Sequence, residues 1–357
     1  MSDFFHSFNA VRGIQAGRPC YIAMCPMRII PKIFVFDEEE VPAELRAQRK
    51  LNRGRIPEMT NYLIENRNNY TLSSLTASID GETEFVSFDE KSSANIGTLK
   101  ISMDSQILLN DGQHRRAAIE EAVNNNTELG HDHISVVFFL DNGLKRSQQM
   151  FADLNKHAVR PSPSLATLYD QREELSNIAR RVMNEVHIFS RLTETEKTSI
   201  SNRSIKLFTL SGIKNATKAL LNKGKNDQIS EDEIQLAIDF WKYVSNQITD
   251  WELAANRKVN SWELREGYIH AHGVLLHALG ILGNQLINDR TSWKVLNKLS
   301  DIDWSRGSDN WKGRAVVNGR ITKSINNVKL TANQIKKLIS MKLIESEEAI
   351  EKEFKAA

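Results

Sequence analysis

Asp111, Gln113, His114, Arg115 and Arg116 stand side by side around Gly112. A carboxylate, an amide, an imidazole and two guanidinium groups within six residues have the chemistry to hold an anion. Where they sit strengthens that reading. Upstream, Ser105 to Leu109 reads as a short buried strand; downstream, Ala117, Ala118, Ile119, Ala122 and Val123 recur at helical spacing. The spacing predicts a helix from near Gly112 to the stop at Asn124, Asn125 and Asn126. A strand-to-helix turn aims free backbone N–H groups and the positive end of the helix dipole at one spot, which suits an anion. Cations in a first helical turn oppose the dipole unless an anion relieves the repulsion. Gly112 permits a close approach or a positive φ that other residues resist. Asp111 stands where an N-cap belongs, placed to accept from the N–H of Gln113 or His114. A plainer reading has Asp111 capping, Gly112 turning and the basic residues facing water.

A second polar cluster, Asp153, Asn155, Lys156, His157 and Arg160, falls between an expected helix over 144–154 and the break at Pro161-Ser162-Pro163. It would face the turn if the strand at 105–109 and the apolar strand at 134–140 were neighbours. Asp153 and Asn155 would then hold a magnesium ion or a water, and Arg160 a phosphate. The alternative is helix C-capping by Asn155, with basic residues on the negative end of the dipole. His131 and His133 need further ligands to bind a metal and read as a polar loop. Cys20 and Cys25 are the two cysteines; a lone Cys-x4-Cys pair reads as buried, inert thiols, so no structural metal is expected.

The elements around these residues form two regions. Strands are expected at 20–27 and 32–36, with Pro26 and Pro31 as boundaries, and a helix carries Ile56, Met59, Leu63 and Ile64. Further strands are expected at 72–78, 84–88 and 98–103, and Asp80-Gly81 reads as a hairpin turn. From Pro163 the period is helical almost throughout. Leu165, Leu168, Tyr169, Leu175, Ile178, Val182 and Val186 trace one amphipathic face. Ser230 to Glu233 reads as a capping box, and Thr331 to Gln334 as a second one before the final helix. His270, His272 and His277 fall in an apolar central helix over 269–283 and read as core histidines, and the six tryptophans, all in this half, as packing anchors. The expectation is an α/β (α+β) domain over 1–162 and a mainly α-helical domain over 163–357.

Composition sets the class. The chain has 357 residues, 40% hydrophobic and 26% charged, which is an ordinary globular balance with length for two cores. No apolar run reaches the roughly 18 residues a membrane span needs, and the N-terminus lacks a signal pattern, so a cytoplasmic protein with no membrane partner is expected. The net charge of +2 announces no polyanion, but its distribution does. Arg46, Arg49, Lys50, Arg53 and Arg55 form one acid-free patch, Arg203, Lys206, Lys214, Lys218, Lys223 and Lys225 a second, and the run from Lys312 to Lys342 a third. Such local fields attract nucleic acid, unless acidic residues distant in sequence neutralise them. Arg46, Arg49, Lys50, Arg53, Arg55, Lys206, Lys214 and Lys218 are the candidate DNA contacts.

The run Asp111-Gly112-Gln113-His114-Arg115 resembles the signature of the DGQHR-domain proteins and, within them, the DndB family of DNA sulfur modification proteins. Phe151 to Ser162, Lys206 to Ser211 and His272 to Gly280 resemble further blocks of that family in the same order. The resemblance implies a ParB/sulfiredoxin-like fold for the first domain. It also implies a DNA-binding regulator of phosphorothioation, in which sulfur replaces a non-bridging phosphate oxygen, rather than the sulfur-transferring enzyme. On that reading Gly112, His114, Arg115, Arg116, Asn155 and Arg160 hold the phosphate of ATP or another NTP. Asp111 and Asp153 would ligate magnesium. Catalysis, if the turn supports it, would fall to Asp111 as base, Gln113 orienting water, and His114 with Arg115 as the clamp. The turn lacks the cysteine of sulfiredoxins, and no Gly-x-x-x-x-Gly-Lys-Ser/Thr loop occurs. The alternatives are a nucleotide-dependent DNA nicking nuclease or NTPase, and a non-catalytic adaptor. Double-stranded DNA, other proteins of the modification system and a second copy of the chain are the expected partners.

Overall fold

The computed structural model describes residues 4–34, 53–140, 144–156, 161–224 and 227–356; for Leu144, Lys145 and Asn155 it describes the backbone. The chain divides into two units, Met1–Val159 and Arg160–Ala357. The first is mixed α/β, with a large mixed sheet; the second is chiefly helical.

The first unit is built on seven strands: β1 (Phe5–Gln15), β2 (Arg18–Pro26), β3 (Leu75–Asp80), β4 (Thr83–Asp89), β5 (Ser93–Ser102), β6 (Gln106–Asp111) and β7 (His133–Leu140). Their order is β4-β5-β1-β2-β7-β3-β6, antiparallel except for the parallel pair β3 and β7. Side chains alternate between faces. Tyr21, Ala23, Leu75, Ala77, Leu99, Val136 and Phe138 point to one face and are buried with Ile30, Ile33, Leu63 and Ile119. Those four come from α1 (Ile30–Ile33), α2 (Ile56–Glu65) and α3 (Gln113–Asn125). On the other face, α4 (Leu144–Lys156) lies over the β7-β3-β6 half, where buried Asn110 donates to Ser147 O at 3.1 Å. Val11, Ile22, Met24, Phe88 and Ile96 are exposed, and Val11 is paired in register with both Ile22 and Ile96.

The strand expected at 32–36 and the hairpin expected at Asp80-Gly81 are not formed. The strand expected at 32–36 is helical through Ile33, because Ile30, Ile33 and Phe34 are buried at helical spacing and Pro31 sits in the first turn, where its missing N–H costs nothing. Val35 and Phe36 lie outside the described residues. Asp80-Gly81 joins β3 to β4 but closes no hairpin: β3 pairs with β6 and β7, and β4 pairs with β5.

The second unit begins with α5 (Pro163–Tyr169), α6 (Glu174–Glu185) and α7 (His187–Leu192), so the amphipathic face expected over 165–186 is split between helices. After a short parallel pair, β8 (Thr193–Glu194) and β9 (Phe208–Thr209), come α8 (Leu210–Leu221), α9 (Glu231–Ser245), α10 (Thr249–Ala255) and α11 (Ser261–Gly267). α12 (Gly273–Asn284) is the apolar centre, and a small hairpin, β10 (Val316–Val317) with β11 (Arg320–Ile321), precedes α13 (Ile325–Leu338) and α14 (Glu345–Ala356). Ser230 and Glu233 form the expected capping box at α9. Thr331 does not open a helix. It lies inside α13, bonded back to Asn327 O at 2.7 Å, because Ser324 already caps that helix. Trp241, Trp251, Trp293, Trp304 and Trp311 are buried anchors, whereas Trp262 is exposed. His270 is fully buried. His272 precedes α12 and donates from Nε2 to Arg265 O at 2.8 Å, and burial, aided by Arg306 and Lys323, holds its pKa down at about 4.

Candidate functional site

β6 is an edge strand, and its last residue, Asp111, pairs with Thr76 beside an irregularity in β3. The chain then turns on Gly112, whose φ of 106° is the left-handed region that side chains resist. A Cβ at this position would press into Leu75 and the Arg115 guanidinium. Gly112 is the N-cap residue of α3 and has no side chain with which to cap this 13-residue helix. The capping role expected of Asp111 is therefore overturned. Its carboxylate is taken by Arg115, Nη2 to Oδ2 at 2.5 Å, a pair one helical turn apart. Arg115 also donates from Nη1 to Ser73 Oγ and is mostly buried, while Asp111 stays partly open to solvent.

The other members of the turn separate by role. Gln113 is buried, and its Nε2 donates to Leu109 O at 3.2 Å and Asn110 O at 3.1 Å, sewing the helix start to β6. Arg116 pairs with Glu120 at 2.7 Å and donates to Pro31 O at 3.0 Å and Phe34 O at 3.2 Å, tying α3 to the end of α1. His114 is half-buried in the first turn. The turn thus gathers Asp111, Gly112 and Arg115 at a helix N-terminus whose N-cap residue is a glycine, and turns Gln113 and Arg116 inward. Such an N-terminus presents N–H groups and a positive dipole end to an anion. Ser73 and the buried chain from Ser78 Oγ through Asn110 to Ser147 O were not foreseen. A buried asparagine at the end of an otherwise apolar strand was the one signal available.

The strand pairing expected to bring the second cluster to the turn is not formed. β6 and β7 flank β3 instead of each other, so the neighbouring strands that would have joined the clusters are absent. Asp153 accepts from Gln149 Nε2 at 2.7 Å and lines a groove of about 610 Å3 with Val137, Phe139, Arg146 and Met150. No residue of the turn lines that groove. Arg160 and His157 lie outside the described residues, as does the Asn155 side chain. Among the described residues, no group of three or more His, Cys, Asp or Glu is placed to hold a metal ion. His131 and Asp132 serve structure: Arg67 grips Asp132 at 2.5 and 3.1 Å, Tyr70 donates to it, and His131 Nδ1 is 3.4 Å from Arg28.

The basic patches fare differently. Arg46, Arg49 and Lys50 lie outside the described residues, as does Lys225; Arg53 and Arg55 are exposed in a 3-10 turn before α2. Lys214 pairs with Glu173 and Lys223 with Glu233 at 2.8 Å, so these two charges of the second patch are neutralised within the fold, while Lys206 donates to Arg191 O at 2.8 Å and keeps its charge. Lys218 and Arg203 remain exposed. In the third patch Arg314, Lys336 and Lys337 are paired with Glu351 and Glu347 of α14, leaving Arg320, Lys323, Lys329 and Lys342 on the surface. No described helix is long and apolar enough to cross a membrane.

A family model described as DndB, DNA-sulfur modification-associated, matches residues 8–342. No curated protein and no solved structure matches the chain.

Proposed function

Because the chain belongs to the DndB family and so is tied to DNA sulfur modification, we propose that it is a DNA-binding regulator of that system with a phosphate site at the Asp111 to Arg115 turn. The observation that carries the proposal is the N-terminus of α3, entered through Gly112 at positive φ, with no N-cap side chain and with the Arg115 guanidinium beside it. The phosphate would belong to a nucleotide, ATP or another NTP with magnesium, or to the DNA backbone. The strand, turn and helix of β6 and α3 at the edge of a mixed sheet support a ParB/sulfiredoxin-like reading of the first unit. Exposed Arg53, Arg55, Arg203, Lys218, Lys323 and Lys329 support the DNA part, and contacts to phosphates would make binding salt-dependent. Contacts with other proteins of the system, or with a second copy, belong to the same reading. The exposed Val11, Ile22, Met24, Phe88 and Ile96 support them. We assign the protein to the cytoplasm, where its DNA is.

The turn favours holding a phosphate over hydrolysing it. The Asp111 carboxylate is paired with Arg115, and Gln113 is buried with its amide nitrogen bonded to two backbone carbonyls, so the two groups that a hydrolytic reading needs are tied into the fold. The test is duplex binding by fluorescence anisotropy at several salt concentrations, alongside NTP turnover with magnesium, for the parent and for Arg115→Ala and Arg115→Lys. We expect salt-sensitive binding, weakened about tenfold or more by Arg115→Ala and partly restored by Arg115→Lys, with no Arg115-dependent turnover. Turnover that requires Arg115 would instead establish an NTPase or nicking enzyme. Binding and turnover both indifferent to Arg115 would leave the adaptor.

A further inference from the structure

The helical unit holds a second concavity, of about 240 Å3, that contains none of the residues assigned above. Three stretches close it: Gln247 to Asp250 at the start of α10, Tyr268, and Leu299 to Trp304. They are tied to one another. Ile269 N donates to Trp304 O at 2.9 Å, and Tyr268 bridges to Ser305 as a two-residue antiparallel contact. The two aromatic walls are themselves braced. Tyr268 stacks on His270 at 5.2 Å and 13°, and Trp304 stacks on Trp311 at 5.4 Å and 8°.

The remaining chemistry is acidic. His270 Nε2 lies 2.8 Å from Asp250 Oδ2, while its buried Nδ1 has no partner among the described residues. Facing a carboxylate oxygen, Nε2 is the donor, so His270 donates to Asp250. Asp303 accepts from Ser305 N at 2.9 Å. The hydrogen bond from His270 holds the Asp250 carboxyl below the usual range, and those from the Ser305 side chain and backbone do the same for Asp303. Among the described residues no lysine or arginine lines the cavity. Two anionic groups beside two fixed aromatic faces repel phosphate and attract an organic cation, which gains from carboxylate hydrogen bonds and from the ring quadrupoles. The volume lies under the roughly 300 Å3 at which small-molecule sites begin, which suits a single cationic head and is too small for a nucleotide.

We propose that this cavity binds the guanidinium or alkylammonium head of an organic cation between Asp250, Asp303, Tyr268 and Trp304. The head belongs either to a free polyamine or to an arginine or lysine side chain of a partner protein. Isothermal titration of the full chain with N-acetylarginine methylamide and with spermidine tests it, with N-acetylcitrulline methylamide as the uncharged match in shape. At least one cation is expected to bind one-to-one while the citrulline compound gives no saturable heat. Asp303→Asn, which leaves His270 untouched, and Asp250→Asn, which keeps an acceptor for His270, should each weaken binding about tenfold or more with melting unchanged. Tighter binding of the arginine compound assigns the site to a protein side chain; tighter binding of spermidine assigns it to a polyamine. The proposal is overturned if neither cation saturates, if citrulline binds equally, or if both variants bind like the parent.

Discussion

Replacing Gly112 by alanine would force a side chain into a left-handed backbone conformation and into Leu75, which is itself fully buried. We expect Gly112→Ala to lose about 2–3 kcal/mol of stability in urea unfolding, from backbone strain and displaced packing together. Unchanged stability would mean that the turn does not need its glycine. This residue was legible in advance, since strand, turn and helix are set by neighbours in sequence. Its companions were not. Asp111 lost its capping role to an arginine four residues on, and a close guanidinium competes for a carboxylate as effectively as backbone N–H groups do. Gln113 and Arg116 look like ligands in a linear reading, yet their partners, Leu109, Asn110, Pro31 and Phe34, become apparent only when the sheet and α1 are in place.

Among the elements, α14 shows how a basic patch can be spent inside a fold. Glu351 accepts from Arg314 at 2.6 and 2.8 Å and also pairs with Lys337, while Glu347 takes the buried Lys336. Burial alone would raise the Glu351 pKa, but the hydrogen bonds and charges of Arg314 and Lys337 overcome it and leave it at about 2. A carboxyl depressed in the folded state stabilises above its unfolded value of about 4.3 and loses that contribution as pH falls further. Thermal unfolding between pH 5 and pH 2, values that bracket the ordinary carboxylate range of about 4, should therefore show a steep decline in the parent. Glu351→Gln should be about 3 kcal/mol less stable at neutral pH, having left Arg314 without its buried partner, and its acid decline should be shallower. The sequence displayed the cations of this patch and hid their partners, which arrive from a different helix. Short apolar runs misled for a related reason: Ile30, Ile33 and Phe34 satisfy a strand or one helical turn equally until the surrounding core selects between them.

Taken whole, the chain carries two hydrophobic cores that share no residue, one spanning Phe8 to Phe138 and the other Ile178 to Ile339. Fragments 1–159 and 160–357 are each expected to unfold cooperatively by calorimetry, and a fragment lacking a cooperative transition would show that its core is incomplete alone. The change from mixed to helical architecture could be read from the shift in hydrophobic period after Pro163, a signal carried by many residues at once. The sheet order could not, because strand pairing across long sequence separations leaves no local trace. One feature of that sheet reaches beyond its own stability. Arg116 fixes the end of α1 at Pro31 and Phe34, and α2, which resumes after Arg55, is joined to α3 through Thr60 and Glu121 at 3.1 Å. α3 is therefore the shared anchor of α1 and α2, so the turn at its start is steadied by contacts made further along the same helix.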